Sequence, residues 1–273
     1  NHGHLPGIYS REALIATYRE MMEAVRKVNP DIFLNVTVGT WLSPWWLMYA
    51  DCIWMQGEDY AYSEDVPSVA TRDKAITYRD GVLWGDFQKY HLLFPMSSMM
   101  THGIIKGRLN QLGGERESLS SFTNEVMMYF GRGVMMWELY ISPDILTSPE
   151  WDAIGLALRW AKENANVLST TKMILGNPLK REPYGYVHAG SQKAIVLLRN
   201  PFVEPASVTL RLDDAFSALS RSEEYAVTLT YPYNMILPGT VKFGEQVQIP
   251  MEGYEVAVVE LIPKQQLASA LPT

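Results

Sequence analysis

The apolar positions of the first 170 residues switch between helical spacing and strand-like runs. From Ser10, which can cap a helix, apolar side chains recur at helical intervals until the Asn29-Pro30 pair. The stretch 32–38 that follows is β-branched and almost continuously hydrophobic, and it ends at Gly39. Such a run is typical of a strand that is buried on both faces. A helix followed by a buried strand predicts an α/β domain.

The same rhythm continues through three more strand–helix units. Strands are predicted at 50–55, 91–95 and 133–137, and helices at 70–88, 115–130 and 148–167. Tandem units of this kind build a parallel barrel, and four of them are half of an eightfold one. The first helix has no strand before it and would normally follow strand four of the barrel. The four predicted strands are therefore expected to be strands five to eight. The sequence therefore predicts the second half of a (β/α)8 TIM-type barrel, whose function-bearing loops follow the C-terminal ends of the strands.

After Thr170 the period of the apolar positions changes to two. Turn residues separate the runs and no helical spacing intervenes, which indicates an antiparallel β-sandwich. The predicted strands are 184–188, 194–198, 207–212, 225–230, 247–249 and 254–261. We expect three parts: a partial barrel at 1–170, a C-terminal sandwich at 171–264 and a tail at 265–273.

Composition narrows the class of partner. The net charge is −7, and no run of lysine and arginine is longer than two residues. The sequence therefore shows no basic patch that would bind nucleic acid or an anionic membrane. No apolar stretch reaches the ~18 residues of a membrane span. The 8 tryptophans and 15 tyrosines are the notable excess. Aromatic faces can stack on sugar rings and would suit an oligosaccharide or glycoside substrate, but a large aromatic core is the ordinary explanation for any single one of them.

Other chemistries find no support in the sequence. The single cysteine, Cys52, excludes an internal disulfide framework and leaves the compartment open. His2 and His4 lie at the start of the chain without a third ligand at a fixed spacing, so no metal site is predicted. Motifs of serine hydrolases and of nucleotide or dinucleotide binding are missing, and no cofactor is expected.

The strongest candidate for catalysis is the pair Glu58 and Asp59, which directly follows the predicted strand 50–55. A carboxylic acid flanked by aromatics and a second carboxylate can hold a raised pKa and deliver a proton to a glycosidic oxygen. The alternative is an ordinary acidic loop, which Glu64 and Asp65 would continue. Spacing alone leaves both interpretations open.

Two motifs resemble a known clan. Residues 51–59 (DCIWMQGED) resemble the strand-six segment of glycoside hydrolase families 27 and 36, where the strand runs into the acid/base aspartate. Residues 94–102 (FPMSSMMTH) resemble the motif after strand seven in family 36. The resemblance implies a retaining α-glycosidase of the α-galactosidase type, with Asp59 as the acid/base and Glu58 in reserve. It also implies a nucleophilic aspartate on strand four, about 5–5.5 Å from the acid/base and upstream of residue 1.

The residues expected to bind substrate surround this pair. His102 matches a family position, with a structural, hydrogen-bonded histidine as the alternative. Arg72 and Trp84 would line the same rim, with a place on a helix surface as the alternative. The full set of predicted substrate-binding residues is Trp41, Trp54, Arg72, Trp84 and His102.

Two other functions remain open. Because the nucleophile that the resemblance implies is not among these residues, the aromatic loops and the sandwich would also suit a non-catalytic carbohydrate-binding protein. Alternatively, the half-barrel assembles with another copy of the chain, because four parallel strands alone leave two unpaired edges that a homo-oligomer would cover. The sugar and its linkage are not fixed by this sequence, because strands one to four contribute to that choice.

Overall fold

A computed structural model describes residues 7–37, 42–54, 68 and 70–267. Within these residues no helix is both long and apolar enough to cross a membrane. The helices are α1 (Ile8–Val28), α2 (Thr71–Trp84), α3 (Leu119–Gly131), α4 (Ser148–Glu163) and α5 (Ala165–Leu168). The strands among them are β1 (Asn35–Val36), β2 (Cys52–Trp54), β3 (Met99–Met100), β4 (Ile104–Lys106) and β5 (Leu139–Ile141).

Parallel pairing connects these short strands in chain order. Strand β1 pairs with β2, and β2 with β3. A single parallel bridge from Met100 to Met136 adds the next segment. Beyond that bridge, β4 and β5 form a second parallel pair. Helices α2 and α3 lie between successive strands along the chain, as the α/β prediction requires.

Two of the predicted strands are wrong in position. Residues 91–95 form no strand; β3 lies at Met99–Met100, after a 3-10 turn at Met96–Ser98. The apolar run that suggested the strand is only partly buried, since Leu93 is 87% exposed. The predicted strand 133–137 is reduced to the bridge at Met136, and the longer pairing comes later, at β5.

Local signals explain the helix boundaries. The side chain of Ser118 accepts a hydrogen bond from the Ser121 N–H and caps α3, which begins four residues later than predicted from 115. Thr147 caps helix α4, and the Glu150 carboxylate accepts a hydrogen bond from the Thr147 N–H at 2.8 Å. Pro149 lies in the first turn of that helix, where no N–H is needed.

The second half of the chain is an antiparallel sandwich. One sheet has six strands in the order β11-β10-β13-β8-β7-β6, and β9 and β12 form a second, two-stranded sheet. A core that includes Val196, Leu210 and Ile249 lies between them. The strands are β6 (Thr171–Leu175), β7 (Tyr184–Ala189), β8 (Ala194–Arg199), β9 (Ala206–Arg211), β10 (Glu224–Tyr231), β11 (Met235–Lys242), β12 (Gln246–Met251) and β13 (Val256–Pro263).

A buried polar cluster joins the α/β part to the sandwich. The Asp80 carboxylate of α2 pairs with Arg132, which lies just after α3, with Nη2 to Oδ2 at 3.1 Å. It also accepts hydrogen bonds from the hydroxyls of Tyr184 and Tyr186 on β7, both at 2.5 Å. Asp80 and Arg132 are fully buried. One carboxylate thus fixes a helix, the end of a second helix and a sandwich strand.

Another buried group at this junction should make stability depend on pH. His188 on β7 is fully buried, and burial lowers the pKa of its imidazole to about 4. In the unfolded chain the imidazole takes up a proton near pH 6.5, whereas in the folded chain it stays neutral to about pH 4. The free energy of unfolding should therefore have its full value above pH 6.5 and fall as the pH drops toward 4. We expect a loss of about 3 kcal/mol across that window.

Urea unfolding at several pH values would measure this slope in the wild type and in His188→Gln. The variant should lose that part of the pH dependence, whatever its stability at pH 7. His91→Asn, at an exposed position, is the matched control and should keep the slope. An unchanged slope in His188→Gln would show that His188 does not carry it.

Candidate active site

The carboxyl ends of the parallel strands bring several polar and aromatic side chains together. Trp54 ends β2, His102 follows β3, and Tyr140 lies on β5. The ring centroid of His102 lies 5.6 Å from that of Trp54 and 5.9 Å from that of Tyr140. Because active sites of parallel barrels lie at this end of the strands, the cluster marks the candidate site.

Glu138 is the acidic residue of the cluster. Its Oε1 lies 4.0 Å from Nδ1 of His102. Burial raises the pKa of the Glu138 carboxyl, whereas the Tyr140 hydroxyl and the Gly103 N–H, which face the carboxylate, oppose this by favouring its charged form. Burial and the neighbouring Glu138 raise the pKa of Tyr140 to about 12. Tyr140 therefore stays a neutral hydrogen-bond donor beside the carboxylate.

The backbone of Glu138 is fixed from two sides. Its N–H donates to the hydroxyl of Tyr129 on α3 at 2.6 Å. Gly103 packs so closely that a Cβ added there would lie 1.9 Å from the Glu138 carbonyl oxygen, so only glycine fits. Burial, followed by the charges of Asp51 and Glu138, raises the pKa of the Cys52 thiol to about 12.

Several buried polar atoms at these strand ends have no hydrogen-bond partner among the described residues. They are Asn35 Oδ1, Trp54 Nε1, Thr101 Oγ1 and Glu138 Oε1. A buried polar atom without a partner costs about 1–3 kcal/mol, so it requires an explanation. Trp54 ends β2, Thr101 follows β3 and Glu138 precedes β5, whereas Asn35 opens β1.

An open cleft adjoins the cluster. Its volume is about 690 Å³, within the range of small-molecule sites. His102 and Tyr140 form one wall and therefore belong to both the cluster and the cleft. Ile105, Leu109 and Leu139 make the remainder largely apolar. The site thus combines a polar cluster with an apolar cleft.

The structure separates the residues predicted from the sequence. Trp54 and His102 come together at the site. Trp41, Glu58 and Asp59 lie outside the described residues. Trp84 is half-buried at the end of α2 and packs against the hydrophobic core.

Arg72 is completely buried, and its place differs from the rim position expected for a sugar contact. Its guanidinium pairs with Glu117 and Glu125. Arg79 also pairs with Glu125, and its Nη2 donates to the carbonyl of Gly103 at 3.1 Å. The observed role of Arg72 is therefore structural: it belongs to an ion-pair network that supports the segment after His102.

Sequence reasoning missed Thr101, Glu138 and Tyr140. Glu138 immediately follows the predicted strand 133–137, so the rule that function lies at strand ends could have identified it. Tyr140 had no such signal, because β5 was not predicted. In the described part of the chain no group of three or more His, Cys, Asp or Glu has an arrangement that could hold a metal ion.

Comparison with known proteins gives no match in sequence: no family model and no curated protein matches the chain. Solved structures do match. A family 36 α-galactosidase from Geobacillus stearothermophilus, solved with raffinose, has a TM-score of 0.61 at 15% identity, covering 96% of this chain and 33% of its own. α-Galactosidase I from Mortierella vinacea has a TM-score of 0.56 at 12% identity, covering 93% of this chain and 64% of its own.

The chain shares its fold with α-galactosidases. This confirms, at the level of the fold, the resemblance to families 27 and 36 found in the sequence, as well as a TIM barrel with a β-sandwich as the architecture of the group. A family 27 β-L-arabinopyranosidase from Geobacillus stearothermophilus is also similar, with a TM-score of 0.58, 11% identity and coverage of 90% of this chain and 54% of its own. The chain spans about a third to two thirds of these proteins.

Proposed function

We propose that this chain is the C-terminal portion of a retaining α-glycosidase of the α-galactosidase type. Three observations support the proposal: the shared fold, the two sequence motifs in their expected order, and the polar cluster at the ends of the parallel strands. The cluster is the observation that carries it, because its buried atoms without partners suit a ligand rich in hydroxyls. In this proposal β1, β2, β3 and the segment that contains Met136 are strands five to eight of the barrel.

Asp59 is the proposed acid/base, with Glu58 in reserve. In the sequence both residues follow β2, which ends at Trp54. In a retaining enzyme the acid protonates the leaving oxygen while a second carboxylate attacks the sugar and forms a covalent intermediate. We propose that the second carboxylate lies on strand four, outside these 273 residues. This chain alone would then lack hydrolytic activity.

Hydrolysis of raffinose tests the proposal. The complete enzyme, with strands one to four present, should release galactose, and NMR should show that the first-formed anomer is α. The 273-residue chain alone should release none. Inversion of the anomer would contradict the retaining mechanism, and failure of the complete enzyme to cleave any α-glycoside would contradict the assignment.

The alternative is a carbohydrate-binding protein without catalysis. The aromatic rings beside the cleft favour it, because Trp54 and Tyr140 flank His102 with faces and edges that a sugar could contact. Calorimetric titration of this chain with galactosides, together with Trp54→Ala, tests it. Heat that is lost in the variant would support binding by this chain alone; no heat in either would contradict it.

Assembly with a second copy remains the third proposal. It would cover the unpaired edges of the parallel strands and make a homo-oligomer. Sedimentation of this chain at several concentrations tests it: a folded, stable monomer at all of them would contradict the need for pairing.

A further inference from the structure

We propose that Glu138 binds a hydroxyl group of the sugar ring, accepting a hydrogen bond at Oε1, and so helps to determine which sugar the site accepts. This inference rests on the proposed glycosidase function and deepens it. It concerns a residue that lies between the bridge at Met136 and strand β5, with its Oε1 4.0 Å from Nδ1 of His102.

Among the residues that the structure describes, Glu138, whose side chain is 20% exposed, lacks the close cationic partner that three more deeply buried carboxylates have. Glu117, Glu125 and Glu150 are each paired with arginine or lysine: Glu117 and Glu150 with Lys106, Glu125 with Arg79. Glu138 has only His102 at ion-pair distance within the described part of the chain, and at the outer limit of 4.0 Å. A carboxylate needed only for packing would be expected to have a close cationic partner.

The surroundings hold Glu138 in place while leaving one oxygen available. Tyr129 and Gly103 fix its backbone, and the Tyr140 hydroxyl faces the carboxylate. Oε1 is buried and has no hydrogen-bond partner among the described residues. A preorganised acceptor of this kind suits a hydroxyl donor, since a charge-assisted hydrogen bond is about twice as strong as a neutral one.

The neighbouring atoms define the chemistry of the ligand. Trp54 Nε1 is a buried donor and Thr101 Oγ1 both donates and accepts; neither has a partner among the residues the structure describes. An acceptor, a donor and a hydroxyl next to aromatic rings match a polyhydroxylated ring. A carboxylate or phosphate ligand would be repelled by Glu138, so the inferred ligand is a neutral sugar.

The test compares Glu138→Gln with the wild type on α-galactosides that lack one hydroxyl each, in the complete enzyme. We expect kcat/KM to fall about 10- to 100-fold on the parent substrate. On the one deoxy substrate that lacks the contacted hydroxyl, kcat/KM of the wild type should fall as far as that of Glu138→Gln falls on the parent substrate. On that deoxy substrate the substitution should lower kcat/KM little further. A purely structural role would lower the rate equally on every substrate.

Glu224→Gln, in an exposed sandwich ion pair with Lys242, is the matched control and should match the wild type on every substrate. Suppose that the wild type hydrolyses α-galactosides. If Glu138→Gln hydrolyses them equally well, or loses the same factor in kcat/KM on every substrate of the series, the inference is overturned while the proposed function stands. If the complete enzyme cleaves no glycoside, the same pair is compared by calorimetric binding of galactose. Equal binding, or no binding, then overturns the inference as well.

Discussion

Asp80→Ala should destabilise the folded chain by about 3–5 kcal/mol, the range for breaking a buried ion pair by removing one partner. The substitution leaves the Arg132 guanidinium buried without its counter-ion. It also removes the acceptor of the Tyr184 and Tyr186 hydroxyls. Since natural domains are stable by only about 5–15 kcal/mol, such a loss is a large part of the total. Urea unfolding followed by tryptophan fluorescence would measure it.

Asp144→Ala provides the control for this prediction. Asp144 also pairs with an arginine, Arg108, but both side chains are more than half exposed, at 56% and 66%. Exposed ion pairs contribute about 0–1 kcal/mol, so the control should stay close to the wild type. Equal stabilities of the two variants would contradict the view that Asp80 anchors the sandwich to the helices.

The buried network also shows where sequence reasoning stops. Arg72, Arg79 and Arg132 are all fully buried, although arginine is among the residues least often found inside proteins. Arg72 and Arg79 lie on the same helix, α2, and a sequence pattern cannot distinguish a charged face that meets solvent from one that meets buried glutamates. The prediction that Arg72 lies at the rim followed from that ambiguity.

The elements with long apolar periods were predictable. Helix α1 and the strands β7, β8 and β13 lie within a few residues of the predicted ranges, because each buries a regular row of side chains. Strand β11 was missed because it is mostly exposed and contains Pro238 and Gly239, which weaken a strand pattern. The parallel strands β1, β2 and β3 are only two or three residues long, too short for their period to fix their ends.

The site was partly predictable for a similar reason. Trp54 ends a strand that the sequence indicated and His102 belongs to a motif that it contains, and the structure brings their rings within 5.6 Å of each other. Glu138 could have been noted at the end of the predicted strand 133–137, but what distinguishes Glu138 and Thr101 in the structure is a buried oxygen with no hydrogen-bond partner among the described residues. No property of the residue type alone reveals that.

Asp59→Asn in the complete enzyme should reduce kcat on raffinose by about 10²–10⁴-fold, the usual contribution of a general acid. Asparagine keeps the shape of the side chain but has no proton to transfer to the leaving oxygen. Aryl galactosides with acidic leaving groups need little protonation, so their rate of glycosyl transfer should fall much less. The ratio of the two rates separates the loss of an acid from a general disturbance of the loop.

Glu58→Gln and Asp65→Asn complete the experiment, since both remove a carboxylate from the same loop. If Asp59 is the acid, Asp65→Asn should match the wild type, and Glu58→Gln should retain hydrolysis of raffinose. A leaving-group-dependent loss in Glu58→Gln instead would assign the role to Glu58, because the two neighbouring carboxylates compete for one position. Full activity of Asp59→Asn on raffinose would refute Asp59 as the acid, and full activity of both variants would remove the acid/base from this loop.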